Sequence, residues 1–304
     1  MGLIELKELE SFRLNFSDGS LLVLNLCIAF IMFSVALSLK TEHFTMLVKK
    51  PRSMVIGLVS QLLILPLLTL LIILLFDISL SIGLGMILVS VCPGGNVSNF
   101  YTMMAKGNTA LSVSLTAIVT CLSIFSIPYF FGLWSGLVYN EAAEISLEVS
   151  VTEMVTAVFL VMGIPLIIGI LFATRFPDIT RKVQKPAKWV SYLILIGFLA
   201  FAVAQNVNAF AKYAGDIFLI VVGHNLVTFS GAYLWATLMK CPKPDRKSIT
   251  IETGIQNATI AFGLVFAFFG GNGAMAIVAG MWGIWHLIAG AGLAAIFSRQ
   301  KESA

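Results

Sequence analysis

Apolar residues recur in long runs along the whole chain, separated by short polar segments. A run of about 20 such residues is what an α-helix needs to cross the hydrocarbon core of a bilayer. The pattern therefore predicts an all-α, polytopic membrane protein. Its nine predicted spans are residues 20–39, 53–76, 80–105, 109–133, 153–174, 189–210, 217–239, 248–269 and 274–297.

Two of these spans contain residues that interrupt a helix. In the third span Pro93 removes a backbone donor, and Gly94 and Gly95 beside it are poor helix formers, so we expect a break there. The eighth span has a milder interruption at Gly254, in the string ETGIQN. The two spans are five apart and therefore run in opposite directions. Oppositely oriented broken helices are typical of inverted-repeat transporters, in which the site lies where the two breaks cross.

One acidic side chain, Glu252, lies inside a predicted span, whereas the other fourteen acids fall in loops, in tails or at a span edge. A carboxylate within a membrane costs on the order of 3 kcal/mol and needs a partner. Because no Lys or Arg lies within a predicted span, we expect that partner to be a dissolved cation. The alternative is that Glu252, five residues after Lys247, caps a helix at the membrane surface.

Neutral oxygen-bearing side chains flank both breaks and recur in neighbouring spans. Ser112 and Thr116 are four residues apart and share one helix face, while Gln61 is a large polar group in an apolar span. Hard cations prefer such oxygen ligands, although hydroxyls in helices also bond to their own backbone and amides also join helices. The other polar side chains of this kind are Asn96, Ser98, Asn99, Thr253, Gln256, Asn257, His224, Asn225 and His286.

Composition excludes a soluble domain. The chain is 59% hydrophobic and 11% charged, with a mean hydropathy of +0.97, whereas a soluble domain carries about 25% charged residues.

The four cysteines have no CxxC spacing, so neither a zinc site nor a disulfide framework is expected. No HExxH or GxSxG motif is present either, and a single buried carboxylate cannot act as both acid and base. We therefore do not expect an enzyme.

The basic residues predict the orientation in the membrane. Sixteen of the nineteen fall on one side of the nine-span arrangement, which the positive-inside rule makes cytoplasmic. Residues 1–19 are then an external N-terminal segment, and residues 298–304 are a cytoplasmic tail. The expected location is a multi-pass protein of the cell membrane without a cleavable signal. The cations are scattered among short loops, so no nucleic-acid partner is expected.

The strings CPGGNVSN, MAKGNTALSVSLTAIVT and ETGIQN resemble the bile acid:sodium symporter family, and Gln61 five residues ahead of a proline fits as well. The resemblance covers residues 25–297 and implies the nine-helix form of the fold. It implies a core domain, approximately 53–133 and part of 217–297, that contains the two crossing discontinuous helices. It also implies a panel domain formed by the first, fifth and sixth spans, with alternating access between the two domains. Ala36 stands where the family pattern has glycine, so the resemblance does not specify the shape of the substrate cavity.

The same resemblance implies two co-transported sodium ions. The first site would use Ser98, Asn99, Ser112, Thr116 and Glu252. The second would use Gln61, Glu252 and Gln256, with main-chain oxygens near Thr253 and Ile255.

The charge of such a site predicts an anionic substrate. Two sodium ions and one ionised glutamate leave a net charge of one positive unit, and the half-helices beginning near Asn96 and Gln256 would add positive dipole ends. We therefore expect cotransport of an organic anion, either bile acid-like or a smaller carboxylate or sulfonate. Asn96, Asn257 and His286 are the expected contacts. The alternatives are a proton-coupled carrier with Glu252 as the proton site, and a membrane receptor that does not transport.

Overall fold

The computed structural model describes residues 18–39, 49–139, 155–156, 158–205 and 207–300. Within these ranges the chain forms eleven helices and no strand. They are α1 (Asp18–Ala36), α2 (Pro51–Phe76), α3 (Leu80–Val91), α4 (Asn96–Met104), α5 (Thr109–Val138), α6 (Phe159–Arg175), α7 (Pro177–Gln205), α8 (Val207–Leu238), α9 (Lys243–Gly254), α10 (Ala258–Phe268) and α11 (Gly273–Arg299).

Four helices are long and apolar enough to cross a membrane, namely α2, α5, the Lys212–Leu238 part of α8, and α11. Shorter apolar helices account for most of the remaining predicted spans: the Asn25–Ala36 part of α1, α3, α6 and α10. The chain is therefore a multi-pass helical membrane protein. Several predicted features lie outside the described residues: most of the N-terminal segment that we predicted to be external, the start of the fifth predicted span, the end of the tail, and the acids Glu141, Glu144, Glu148 and Glu153.

Several cations that we predicted in loops lie on helices, so that prediction was wrong in detail. Helix α7 begins at Pro177, which places Arg181, Lys182, Lys185 and Lys188 on its first turns. Helix α9 begins at Lys243, which places Arg246 and Lys247 within it. Both helices start with a proline in the first turn, where its missing N–H costs nothing. Hydropathy detects only the apolar part of a helix, so both predicted spans began later than the helices do.

Lys247 also departs from the expectation that basic side chains stay in water, because it is only 2% exposed. Its ammonium donates to the carbonyl of Ala105, just after α4, at 3.0 Å and to that of Phe297, in the last turn of α11, at 2.8 Å. Carbonyls at helix ends lack intrahelical partners and carry partial negative charge. Lys247 therefore joins three helices at one end of the molecule.

Helix α2 widens into a π-helical turn over Ser60–Ile64. The amide of Leu65 reaches back to the carbonyl of Ser60, and the next residue, Pro66, has no N–H to donate. The proline thus explains the local change of pitch. Gln61 lies on this widened turn and is almost fully buried.

The main apolar core forms around α3, α10 and α11. Every residue of α3 from Ser81 to Val91 is buried, which explains why this span shows no polar face. Helix α1 packs against α6 and α7, while α8 packs against α9 and α11. This packing brings the ends of α3 and α9 together in the interior, where both helices stop.

Candidate functional site

The two interrupted segments meet in the interior of the protein. Helix α3 ends at Val91 and α4 begins at Asn96, whereas α9 ends at Gly254 and α10 begins at Ala258. Between them Gly94 and Gln256 form an isolated antiparallel bridge, and the amide of Asn257 donates to the carbonyl of Pro93 at 2.8 Å. Unwound backbone within a membrane needs hydrogen-bond partners, and here each segment supplies them to the other.

The carboxylate of Glu252 lies beside this crossing and is fully buried. Its Oε2 accepts hydrogen bonds from Ser98 on α4, at 2.7 Å, and from Ser112 on α5, at 2.6 Å. Its Oε1 accepts one from Thr116 on α5. Three of the five side chains predicted for the first cation site therefore donate to a fourth, the carboxylate of Glu252. A helix cap at the membrane surface does not fit this burial.

Asn99, the fifth member of that predicted set, adjoins the same cluster. Its Oδ1 lies 2.8 Å from the hydroxyl of Ser112 and 3.3 Å from that of Thr116. Thr116 also bonds to the carbonyl of Ser112 at 3.1 Å, the local contact that hydroxyls in helices commonly make. We did not single out Thr102, which lies 3.2 Å from the Ser112 hydroxyl. Thr102 is four residues after Ser98 and therefore lies on the same helix face, and this spacing could have identified it.

A second set of oxygens lies on the other side of the Glu252 backbone. The Nε2 of Gln61 donates to the main-chain carbonyl of Glu252 at 3.1 Å, and that of Gln256 donates to the carbonyl of Thr253 at 2.7 Å. The Oε1 atoms of both glutamines are buried and have no partner within the described chain. Buried polar atoms nearly always have a partner, so these two unpaired oxygens are exceptions. Ile255, fully buried, completes the interrupted segment.

Gly94 interrupts the helix, and it also allows the side chain of Glu252 to approach the backbone closely. A Cβ at this position would collide with the carboxylate of Glu252 and would stand 3.4 Å from the Nε2 of Gln61. The sequence identified Gly94 only as a helix breaker. The structure adds that any larger residue at this position would force the carboxylate of Glu252 to move.

Helix α8 supports the second break with residues whose roles we did not foresee. Asn225, fully buried, donates from Nδ2 to the carbonyl of Gly254 at 2.7 Å. The ring of Phe229 packs so closely that a Cβ at Gly254 would overlap it. On α2 the hydroxyl of Ser60 lies 2.8 Å from that of Thr253. Asn225 was noticeable as an amide in an apolar span, but nothing in the sequence linked it to Gly254.

A cavity of about 330 Å³ opens beside the crossing. The three predicted substrate contacts, Asn96, Asn257 and His286, all line it, and none of the lining side chains that the structure describes is formally charged. Its walls include the first residues of α4 and α10, so two helix N-termini face the same space. Its apolar lining comes from Ile31, Val35, Val97, Trp189, Ile196 and Leu287. His224 lies elsewhere, with Nε2 2.7 Å from the hydroxyl of Thr69 and its ring against Trp282.

Residues 25–213 match the model of the sodium bile acid symporter family. The chain is 30% identical over 272 residues to the uncharacterized sodium-dependent transporter YocS of Bacillus subtilis, covering 90% of this chain and 82% of that protein. It is also 26% identical to the P3 protein of Homo sapiens, over 83% of this chain and 52% of that protein.

A probable chloroplastic sodium/metabolite cotransporter of Oryza sativa subsp. japonica is 28% identical to the chain, over 77% of this chain and 54% of the rice protein. The chain thus spans only about half the length of the human and rice relatives. The family match covers more than half of the chain, including the first helix break and the hydroxyl face of α5. This protein belongs to the sodium bile acid symporter family.

Proposed function

We propose that the protein is a sodium-coupled symporter that carries an organic anion together with two sodium ions by alternating access. The observation that carries this proposal is the convergence of Ser98, Ser112 and Thr116 on the buried carboxylate of Glu252, at the crossing of two interrupted helices. Relatives named as a sodium-dependent transporter and as a sodium/metabolite cotransporter support the choice of ion.

The first sodium ion would be held by Glu252 together with Ser98, Asn99, Ser112 and Thr116. This set offers one negative charge and four neutral oxygens, which is the ligand chemistry of a hard cation. Proton coupling is the alternative for a buried carboxylate, but a proton needs no cage of hydroxyl and amide oxygens. The family therefore favours sodium over the proton-coupled alternative.

The second sodium ion would lie between Gln61 and Gln256. Their Oε1 atoms lack partners within the described chain, and main-chain oxygens of the interrupted segment near Thr253 and Ile255 would supply further ligands. The carboxylate of Glu252 would serve both ions. Because the ligands come from α2, α4, α5, α9 and the segment that follows α9, bound sodium would add to the hydrogen bonds that already join these helices.

The anion would occupy the cavity beside the crossing. Two sodium ions and Glu252 carry a net charge of one positive unit, and the N-termini of α4 and α10 add positive potential without any buried arginine. Asn96, Asn257 and His286 supply polar contacts, while the predominantly apolar lining suits the body of an organic molecule. A monovalent anion would therefore travel with one net positive charge, and uptake would gain about 2.3 kcal/mol per 100 mV of inside-negative potential.

The proposed architecture has nine spans arranged as inverted repeats. Helices α3 and α4 would form one interrupted span, and α9 and α10 the other. The packing of α1 against α6 and α7 supports a separate panel of the first, fifth and sixth spans. We further propose a cell-membrane location with the N-terminus outside and the C-terminus in the cytoplasm, as the distribution of basic residues indicates.

Sodium coupling can be tested directly with purified protein. Thermal unfolding would be followed while cholate or pyruvate is titrated, in sodium chloride and in choline chloride. We expect at least one of these anions to bind more tightly in sodium, because the binding of ion and of anion is reciprocally linked. Binding of an anion with equal affinity in both salts would overturn the proposal.

Transport itself requires sealed vesicles. An inward sodium gradient should drive accumulation of the anion that binds, and an inside-negative potential should increase it. Accumulation driven by a pH gradient without sodium would support the proton-coupled alternative instead. Sodium-dependent binding without accumulation would indicate a receptor.

A further inference from the structure

A second cavity, of about 310 Å³, lies near the start of α9, away from the Glu252 end of that helix. It is bounded by the first turn of α2, by the turn that follows α8, and by the first turn of α9. The side chains that give it chemical character are Lys50, Arg52, Ser53, Lys240, Cys241 and Asp245. We call this set the basic pocket.

The basic pocket carries an excess of positive charge that no side chain in the described part of the chain neutralises. Its single carboxylate, Asp245, is 1% exposed and already holds the ammonium of Lys50 at 3.2 Å, the hydroxyl of Ser53 at 2.6 Å and the amide of Asn108 at 2.7 Å. Arg52 and Lys240 form no ion pair within the described chain. Two positive charges therefore remain at the rim of the cavity.

A backbone contact orients one of these cations, and a tight turn positions the main chain of the other. Arg52 donates from Nη2 to the carbonyl of Met239 at 3.0 Å, which leaves its other guanidinium donors available. Lys240 occupies a left-handed turn, with φ of +54°, that ends α8. Burial raises the pKa of the neighbouring Cys241 thiol, with a further contribution from Asp245, so the thiol stays neutral and does not offset these charges.

Two helix N-termini add to this positive potential. Neither Lys50 nor Pro242, the residues that precede α2 and α9, caps its helix with a side chain. The N–H groups in the first turn of any helix have no acceptor within that helix. A bound anion would therefore meet both charged and backbone donors, the combination that binds phosphate at helix N-termini.

Exposed apolar side chains lie next to the basic pocket, at the level where α2 and α8 enter the apolar layer. The indole of Trp235 donates to the carbonyl of Ile56 at 3.0 Å, so the two helices are in contact here. Val55 on α2 is 56% exposed and Leu238 on α8 is 64% exposed. A molecule with a phosphate in the pocket could lay an acyl chain along this surface, as in basic pockets that bind anionic lipid headgroups.

We propose that the basic pocket binds a phosphate group, carried by an anionic phospholipid or by a soluble phosphate. The group would bridge the guanidinium of Arg52, the ammonium of Lys240 and the first turns of α2 and α9. The adjoining apolar surface favours the lipid as the source. Because α2 carries Gln61 and α9 carries Glu252, the bound phosphate would also brace two helices of the candidate cation site. The binding test does not depend on the proposed transport function.

The experiment measures thermal unfolding of detergent-purified protein during titration with dioctanoyl phosphatidylglycerol, dioctanoyl phosphatidylcholine or inorganic phosphate. The test variant is Arg52→Gln/Lys240→Gln. The matched control is Lys182→Gln/Lys185→Gln, which removes the same charge from exposed positions on α7. We expect the apparent Kd for phosphatidylglycerol to rise about tenfold or more in the test variant and to stay unchanged in the control, because two charged hydrogen bonds are lost.

The outcomes separate the two sources of phosphate. Stabilisation by phosphatidylglycerol alone identifies a lipid site, whereas equal stabilisation by inorganic phosphate identifies a soluble ligand. The proposal is overturned if neither compound stabilises the unmodified protein, or if the test variant responds as the control does. Should the double variant fail to fold, Lys240→Gln alone gives the same comparison, since this exposed side chain makes no described hydrogen bond.

Discussion

The side-chain amide of Gln61 donates a hydrogen bond of 3.1 Å to the main-chain carbonyl of Glu252, a residue 191 positions later in the chain. The contact joins the π-helical turn of α2 to the last turns of α9. It leaves the Gln61 oxygen buried and without a partner within the described chain. One residue thus both holds the interrupted helix and presents an oxygen to the proposed second sodium ion.

Replacing Gln61 with alanine should weaken sodium binding without preventing folding. The substitution removes one neutral ligand and one buried hydrogen bond, so we expect the sodium concentration for half-maximal stabilisation to rise about tenfold. The measurement is thermal unfolding across a sodium titration at constant ionic strength. Thr69→Val is the matched control, because it removes a buried hydrogen bond on the same helix, to His224, outside the proposed site. An equal shift in both variants would contradict the assignment.

Glu252→Ala should abolish sodium-dependent uptake while leaving an inserted protein. The substitution removes the one negative charge of the site and the acceptor that Ser98, Ser112 and Thr116 share. Binding of radioactive sodium and uptake into vesicles should both fall to background, with size-exclusion chromatography confirming a monodisperse protein. Uptake at the normal rate by this variant would refute the role of Glu252.

Ser112→Ala should raise the sodium requirement more mildly than Glu252→Ala. The hydroxyl of Ser112 lies within hydrogen-bonding distance of both Glu252 and Asn99, but it is neutral. We expect the sodium half-saturation of uptake to increase several-fold, in line with the loss of about 1 kcal/mol. Ser114→Ala is the control, because Ser114 is equally buried on α5 but bonds to the carbonyl of Ala110. A half-saturation that is unchanged in Ser112→Ala would remove this residue from the site.

Gly94→Ala should disrupt sodium binding through sterics alone, since it changes no charge and no ligand. The added methyl group would collide with the carboxylate of Glu252 and displace it from its hydroxyl donors. We expect loss of sodium-dependent stabilisation, measured by thermal unfolding with and without sodium. Gly136→Ala on α5 is the control, because its Cβ would meet no atom within 4 Å. If Gly94→Ala bound sodium normally, the proposed close packing at the crossing would be wrong.

Lys247→Met should destabilise the protein even in the absence of sodium. The variant keeps most of the side-chain volume but leaves the carbonyls of Ala105 and Phe297 without their charged donor. The carbonyl of Phe297 keeps the backbone amide of Gln300 as a donor, at 3.3 Å, but that of Ala105 loses its charged partner. A buried acceptor left unpaired costs about 1–3 kcal/mol, so the unfolding temperature should fall clearly. Lys182→Met, at an exposed position on α7, should leave it nearly unchanged. Equal unfolding temperatures in the two variants would show that Lys247 contributes little to stability.

The sequence alone predicted a helical membrane protein and the places where two of its helices stop. Both features depend on local chemistry: runs of apolar side chains favour lipid, and Pro93 with two glycines cannot continue a helix. Local chemistry also identified Glu252 as the exceptional acid, because burying a charge is costly wherever it occurs. The family motifs then supplied the set of oxygen-bearing residues around it.

Tertiary structure decided which of those residues meet and how. Ser98 and Glu252 are 154 positions apart, and only the packing of whole helices places their side chains 2.7 Å from each other. The same packing buries Lys247 and makes Gly94 a point of close approach. It also brings the starts of α2 and α9 together at the basic pocket. These relationships depend on distances between separate helices. The hydropathy of a sequence indicates which side chains avoid water, but it does not indicate which side chains of other helices they contact.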